Sequence, residues 1–144
     1  MKIEKMQKEH LSSVAEIAAA SLAEAWSKSA FGQELENPSS SNFVAISDGN
    51  VIGFGGVQKV LDEAYITNIA VKDSFRRMGA GAAILDAIIK DCEGSSFVTL
   101  EVRVSNIAAI KLYEKSGFVS QGIRKGFYSH PTEDANIMTL FLGE

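Results

Sequence analysis

Residues 75–90, FRRMGAGAAILDAIIK, place two arginines and two glycines directly before a long apolar run. A glycine inside a helix costs about 1 kcal/mol relative to alanine, so Gly79 and Gly81 predict a turn that needs glycine for its backbone shape. The apolar run is too long for a typical strand, and Gly94 is a residue type that commonly ends helices. The stretch therefore predicts a strand that ends at Val71, a glycine turn and then a helix.

Such a turn can bind phosphate, because unpaired N–H groups and the positive end of the helix dipole point at one spot. Arg76 and Arg77 would add charge-assisted hydrogen bonds at its rim. A glycine-containing loop with solvated arginines fits this spacing equally well, and both interpretations stay open. A Walker loop is excluded because Ala82 follows Gly81, and a dinucleotide fingerprint is excluded because Ile84 stands where glycine or alanine is needed.

Helical and strand patterns alternate on both sides of this turn. Helical spacing and cap residues predict helices over 11–23, from Ser27 to about Asn37-Pro38, over 82–92 and over 106–116. Strand patterns predict three antiparallel strands within 42–71, then strands over 96–104, 118–128 and 135–143. The order β-α-α-β-β-β-α-β-α-β-β predicts an α/β (α+β) fold, a mixed and mostly antiparallel sheet flanked by helices in one domain, 1–144.

Composition excludes several classes of protein. The chain is 46% hydrophobic and 22% charged, as in ordinary globular proteins, and its net charge of -4 without a long basic block argues against nucleic-acid binding. Cys92 is the only cysteine, which predicts a buried thiol in a reducing compartment. Without a signal-peptide core or a bilayer-length apolar stretch, we expect a cytoplasmic protein that is not membrane-bound. His10 and His130 are far apart in sequence, so we expect no metal.

The motif RRMGAG at 76–81 resembles the Arg/Gln-x-x-Gly-x-Gly/Ala signature of the GCN5-related N-acetyltransferases (GNAT), and the order of elements matches that family along the chain. A narrower similarity, to the RimI-type enzymes that acetylate the N-terminal amine of a small-subunit ribosomal protein, comes from Ala25-Trp26-Ser27, LDEAYITNIAV (61–71), LEVRVSNIAAIKLYEKSGF (100–118) and EDANIM (133–138). The resemblance implies a GNAT-like domain, acetyl-coenzyme A as acetyl donor, and an alanine-starting ribosomal protein as acceptor.

The resemblance also implies catalytic roles that the residues alone leave open. Glu101 by itself is most simply a surface ion pair with Arg103, and Tyr113 by itself is most simply core. In RimI-type enzymes the residue aligned with Glu101 is the proton acceptor, and the one aligned with Tyr113 gives a proton near the thioester sulfur, in a direct transfer without an acyl-enzyme. Asn106 aligns with a cofactor contact, although it could simply cap the following helix.

Further site residues follow from the same resemblance. The backbone of Ile69, Ala70 and Val71 is expected beside the pantetheine arm. The turn expected to hold the pyrophosphate comprises Arg76, Arg77, Met78, Gly79, Ala80, Gly81 and Ala82. Trp26 and Tyr128 are expected to line the peptide groove. Phe127 stands where the family often has tyrosine, so one hydroxyl is missing. A lysine or small-amine acetyltransferase and a non-catalytic acyl-coenzyme A-binding domain stay open as alternatives.

Overall fold

The computed structural model describes residues 1–22 and 25–143 and contains one seven-stranded sheet in the order β1-β2-β3-β4-β5-β7-β6. Along the chain the elements are β1 (Lys2–Lys5), α1 (Leu11–Ser21), α2 (Lys28–Leu35), β2 (Ser40–Ser47), β3 (Asn50–Val60), β4 (Glu63–Val71), α3 (Ala80–Asp91), β5 (Phe97–Arg103), α4 (Ile107–Lys115), β6 (Val119–Tyr128) and β7 (Glu133–Phe141). The predicted element order is confirmed. Two short 3₁₀ turns, Lys8–His10 and Asp73–Phe75, precede α1 and follow β4.

The sheet is mixed, as predicted, because β4 and β5 run parallel while every other neighbouring pair is antiparallel. Helices cover both of its faces. One buried cluster packs α3 and Tyr113 of α4 against the sheet, and a second packs α1 and α2 against β2, β3 and β4. The face of β5 and β7 that Phe97 and Phe141 share lies on the same side as α1 and α2, and Phe141 is exposed.

Capping residues set several boundaries at the positions that the sequence indicates. The Ser27 hydroxyl accepts a hydrogen bond from the Ala30 N–H at 3.1 Å and starts α2. After α4, Gly117 has a φ of 99°, and the Phe118 N–H donates to the Tyr113 carbonyl at 3.1 Å. This pattern satisfies carbonyl groups that the helix end would leave unpaired.

The start of α3 differs from its prediction. The helix begins at Ala80 rather than at residue 82, with Gly79 as its N-cap at a φ of 84°, so Gly79 does supply a left-handed backbone. Gly81 instead lies in the first helical turn. A Cβ atom there would stand 3.4 Å from Leu112 Cδ2, so close packing against α4, rather than backbone shape, accounts for a small residue.

The strands β4 and β5 separate partway along their length. In the described part of the chain their pairing is confined to Glu63–Tyr65 with Phe97–Thr99, although β4 continues to Val71 and β5 to Arg103. On its other edge β4 carries an irregularity, because Gly56 pairs with Asn68 but the next residue of β3 pairs with Ile66. The separation opens the sheet at its centre.

The expectation of a buried Cys92 is confirmed. Cys92 is fully buried, and this burial raises the pKa of its thiol to about 11. Within the described ranges, no helix is both long and apolar enough to cross a bilayer.

The surroundings of Gly55 and Gly32 predict opposite effects for their substitution by alanine. In Gly55→Ala the new Cβ would lie 2.5 Å from Ile84 Cγ2, a stiff branch of α3, so we expect about 1–3 kcal/mol of destabilisation. In Gly32→Ala, inside α2, the Cβ would meet Leu11 Cδ1 at an ordinary 3.6 Å, so we expect stabilisation of up to about 1 kcal/mol. Urea unfolding of both variants tests this packing, and equal midpoints would contradict it.

Candidate active site

A cleft of about 630 Å³ lies where β4 and β5 separate. It is lined by the end of α1, by β4 and β5, by the start of α4 and by the end of β6. Six of the predicted site residues line it: Trp26, Ile69, Glu101, Asn106, Tyr113 and Tyr128. Residues far apart in sequence therefore meet at the gap in the sheet.

The Glu101 carboxylate faces this cleft from β5 and is 34% exposed. Its Oε2 accepts a hydrogen bond from Arg124 Nη1 of β6 at 3.2 Å, and its backbone carbonyl accepts one from the Tyr128 hydroxyl at 3.0 Å. The simple alternative of an ion pair with Arg103 is wrong, because Arg103 turns to Glu133 at 3.1 Å instead. Glu101 thus has a partly hydrated carboxylate that a water molecule or an amine can reach.

Arg103 ties the β6–β7 turn to the end of β5. Its guanidinium donates to the Pro131 carbonyl at 2.9 Å and to the Ser129 carbonyl at 3.1 Å, and its central carbon lies 4.4 Å from the centroid of the Tyr128 ring. Its partner Glu133 also accepts a hydrogen bond from the Ser105 N–H at 2.8 Å. These contacts join the wall formed by Tyr128 to the segment that leads into α4.

Tyr113 is both a core residue and a wall of the cleft. Its side chain is 7% exposed, and its ring centroid lies 5.6 Å from that of Phe118. Burial raises the pKa of the Tyr113 phenol, and the nearby Tyr128 raises it further. The phenol therefore stays protonated across the neutral pH range and can donate a hydrogen bond.

Two other predicted residues combine a structural contact with a place in the cleft. The Asn106 side chain accepts a hydrogen bond from the Ala109 N–H at 3.2 Å, so it caps α4 as the simple alternative has it, and it also lines the cleft. Trp26 packs on Phe31 with ring centroids 5.3 Å apart and lines the cleft from the other side. Neither role excludes the other.

The glycine turn lies beyond the cleft, after β4. Arg76 forms an ion pair with Asp73 at 3.0 Å and donates weakly to the Val71 carbonyl at 3.4 Å. Arg77 has a positive φ of 66°. Met78, Gly79 and Ala82 are exposed, whereas Ala80 is buried. The first turn of α3 presents backbone N–H groups that lie too early in the helix to have helical acceptors.

Of the three predicted β4 residues, only Ile69 lines the cleft. The Ala70 side chain packs into the cluster of α1 and α2, whereas Ile69 and Val71 pack against the cluster of α3. The expectation for these residues concerns their backbone, which lies on the part of β4 that has separated from β5.

Several residues of the site escaped sequence reasoning. Tyr65 and Asn68 line the cleft from β4, and the polar Asn68 within the apolar ITNIAV was an available signal. Arg124 reaches Glu101 from β6, whose register against β7 shifts twice, so strand alternation could not have placed it. Among the described residues, no group of three or more His, Cys, Asp or Glu is arranged to hold a metal.

Comparison with known proteins identifies the family of this chain. Residues 11–118 match the model of the acetyltransferase (GNAT) family. The chain belongs to the GNAT family. It is an N-acetyltransferase, and the fold that the resemblance implied is confirmed.

The relatives have related names. The [ribosomal protein bS18]-alanine N-acetyltransferases of Escherichia coli K12 and Salmonella typhimurium are 45% and 43% identical over 69% and 80% of this chain, and over 70% and 80% of their own lengths. The crystal structure of the Escherichia coli ribosomal-protein-S18-alanine N-acetyltransferase superposes with a TM-score of 0.89 at 35% identity, covering 99% of this chain and 94% of that one. Arabidopsis thaliana NAA60 in complex with acetyl-CoA shares the fold, with a TM-score of 0.88 at 18% identity over 98% of each chain.

The Arg103–Glu133 contact predicts a pH-dependent contribution to stability. The hydrogen bond from Ser105, and then Arg103, hold the pKa of Glu133 below its ordinary value of 4.5, although desolvation opposes them. A lowered carboxyl pKa stabilises the fold above the unfolded value, and that contribution is lost as pH falls through the folded value. Glu133→Gln should therefore lower the urea midpoint at pH 7, and the difference from the unsubstituted protein should shrink below about pH 4.

The control is Glu114→Gln, which removes the same charge from an exposed position on α4. We expect little change at either pH. An effect of Glu133→Gln that stays constant from pH 7 to pH 3.5 would contradict the electrostatic explanation.

Proposed function

We propose that this enzyme transfers an acetyl group from acetyl-coenzyme A to the N-terminal α-amine of a protein, with the alanine of a small-subunit ribosomal protein as acceptor. The observation that carries the proposal is the meeting of Glu101 and Tyr113 in one cleft at the gap between β4 and β5. The names of the relatives support the acceptor, and the lone buried thiol of Cys92 is in keeping with the cytoplasm.

The donor would lie along the unpaired part of β4. Backbone N–H and C=O groups of Ile69, Ala70 and Val71 can pair with the amides of the pantetheine arm, much as a strand pairs with a sheet edge. The turn from Arg76 to Ala82 and the first N–H groups of α3 suit the pyrophosphate. Asn106 would contact the donor from the start of α4.

Glu101 would act as the base. A protein α-amine has an ordinary pKa of about 7.8, so a large fraction is already neutral near pH 7.5 and a carboxylate acting through water is a sufficient proton acceptor. The neutral amine then attacks the thioester carbonyl, the carbon–nitrogen bond forms, and the carbon–sulfur bond breaks. The exposure of Glu101 gives the proton a route to solvent.

Tyr113 would donate its phenolic proton toward the departing sulfur. Burial raises the pKa of the Tyr113 phenol, so the phenol keeps its proton at neutral pH and can donate it as negative charge develops on the departing sulfur. No covalent acyl-enzyme is required.

The acceptor would enter on the side of Trp26, Tyr65 and Tyr128, which all line the cleft. Phe127 also lines this side and offers an apolar ring without a hydroxyl. A lysine ε-amine has an ordinary pKa of about 10.4. Deprotonating it at a given pH therefore costs roughly 4 kcal/mol more free energy than deprotonating an α-amine.

The two catalytic assignments predict the effects of conservative substitutions. Glu101→Gln removes the proton acceptor and should lower kcat by about 10²–10⁴-fold at pH 7.5, and Tyr113→Phe should lower it by a similar order. Steady-state acetylation with both variants, with far-UV circular dichroism to check folding, is the measurement. Full turnover in both folded variants would remove both residues from the mechanism.

The acceptor assignment predicts which amine is modified. Mass spectrometry of a peptide that starts Ala-Arg and contains one internal lysine should show one acetyl group, on the α-amine, and an N-terminally blocked twin should stay unmodified. Modification of both peptides at lysine would favour a side-chain acetyltransferase. Modification of neither would favour a small-amine acceptor.

A further inference from the structure

One buried polar atom of this site has no partner within the protein. Among the described residues, Asn68 Nδ2 is the only buried side-chain nitrogen or oxygen without a hydrogen bond. A buried donor left unpaired costs about 1–3 kcal/mol, and native proteins satisfy nearly all such groups. The exception lies in the wall of the catalytic cleft.

The position of Asn68 on β4 indicates which substrate its side chain can reach. Asn68 and Ala70 are two residues apart, so their side chains leave the same face of the strand, and Ala70 packs into the cluster of α1 and α2. Leu22 and Trp26 belong to that cluster and also line the cleft. The cleft is lined from the opposite side of the sheet by Asn106, which caps α4, and by Tyr113 of α4. Asn68 therefore belongs to the acceptor half.

We propose that Asn68 is a positioning residue, whose Nδ2 donates a hydrogen bond to the backbone carbonyl oxygen of the acceptor's first residue. An acceptor that enters N-terminus first presents its α-amine and then, one carbon further on, this carbonyl. The Asn68 Cβ–Cγ bond is a soft torsion for an amide side chain, and rotation about it points Nδ2 into the cleft. The inference rests on the proposed α-amine function.

This contact would distinguish an α-amine from a lysine side chain by structure as well as by pKa. Every protein N-terminus carries the first carbonyl, whatever its first side chain, whereas the ε-amine of lysine is followed only by methylenes. A lysine in the cleft would leave the Asn68 amide unpaired. Sites that hydrogen-bond a substrate group discriminate strongly against analogues that lack it.

The test uses Asn68→Ala, with Gln58→Ala as the matched control. Gln58 Nε2 already donates to the Glu34 carboxylate at 3.0 Å, and Gln58 lies outside the cleft lining. We expect Asn68→Ala to keep or raise the Tm, to raise the peptide KM about three- to tenfold and to leave the acetyl-coenzyme A KM unchanged. Gln58→Ala should lower the Tm and change neither KM.

A modified acceptor isolates the bond itself. An Ala-Arg peptide whose first peptide bond is replaced by a trans-alkene lacks the carbonyl and has a more basic amine, so it should lose at least the same factor in kcat/KM with the unsubstituted enzyme. It should lose nothing further with Asn68→Ala. If the losses from the alkene and from Asn68→Ala multiplied, the proposal would be overturned. It would also be overturned if Asn68→Ala lowered the Tm without changing the peptide KM, or changed only the acetyl-coenzyme A KM. If the unsubstituted enzyme left the natural peptide's α-amine unmodified, the proposed function would fail first and this inference with it.

Discussion

The separation of β4 from β5 is the constraint on which the rest of this structure depends. A sheet gains its stability from paired backbone groups, and two neighbouring strands that part at Tyr65 and Thr99 leave N–H and C=O groups without strand partners in the middle of a domain. The surrounding elements accommodate this opening. The cap on α4 and the Arg103 contacts to the β6–β7 turn each hold residues that line the cleft.

Charged contacts around the cleft follow from the same opening. Because β5 loses β4 as a neighbour at Glu101 and Arg103, these two side chains find partners on β6, β7 and the turn between them: Arg124 for Glu101, and Glu133 with the turn carbonyls for Arg103. Arg103 joins three elements through one rigid guanidinium, which a lysine could not do with the same geometry. Glu101 pairs instead with Arg124, a side chain that is itself exposed.

Sequence patterns were sufficient for the order of elements, since strand alternation and capping residues act locally. The same local rules gave the alternation of β5 and the caps at Ser27 and Gly117. They could not place the gap between the strands, which arises from pairing across the sheet, nor Arg124, whose strand shifts register twice against β7. The roles proposed for Glu101 and Tyr113 rest on family resemblance, because an exposed glutamate and a buried tyrosine are ordinary residues in isolation.

The unpaired Asn68 amide shows how such a site differs from the remainder of the core. At Gln58 and Thr99, polar groups near the sheet find partners inside the protein, and their cost of burial is offset before any ligand binds. At Asn68 the described part of the protein offers Nδ2 no partner, and the proposed acceptor carbonyl would supply one. On that proposal the free protein lacks the stabilisation of one buried hydrogen bond, and acceptor binding would provide it at the place where the reacting atoms must be held.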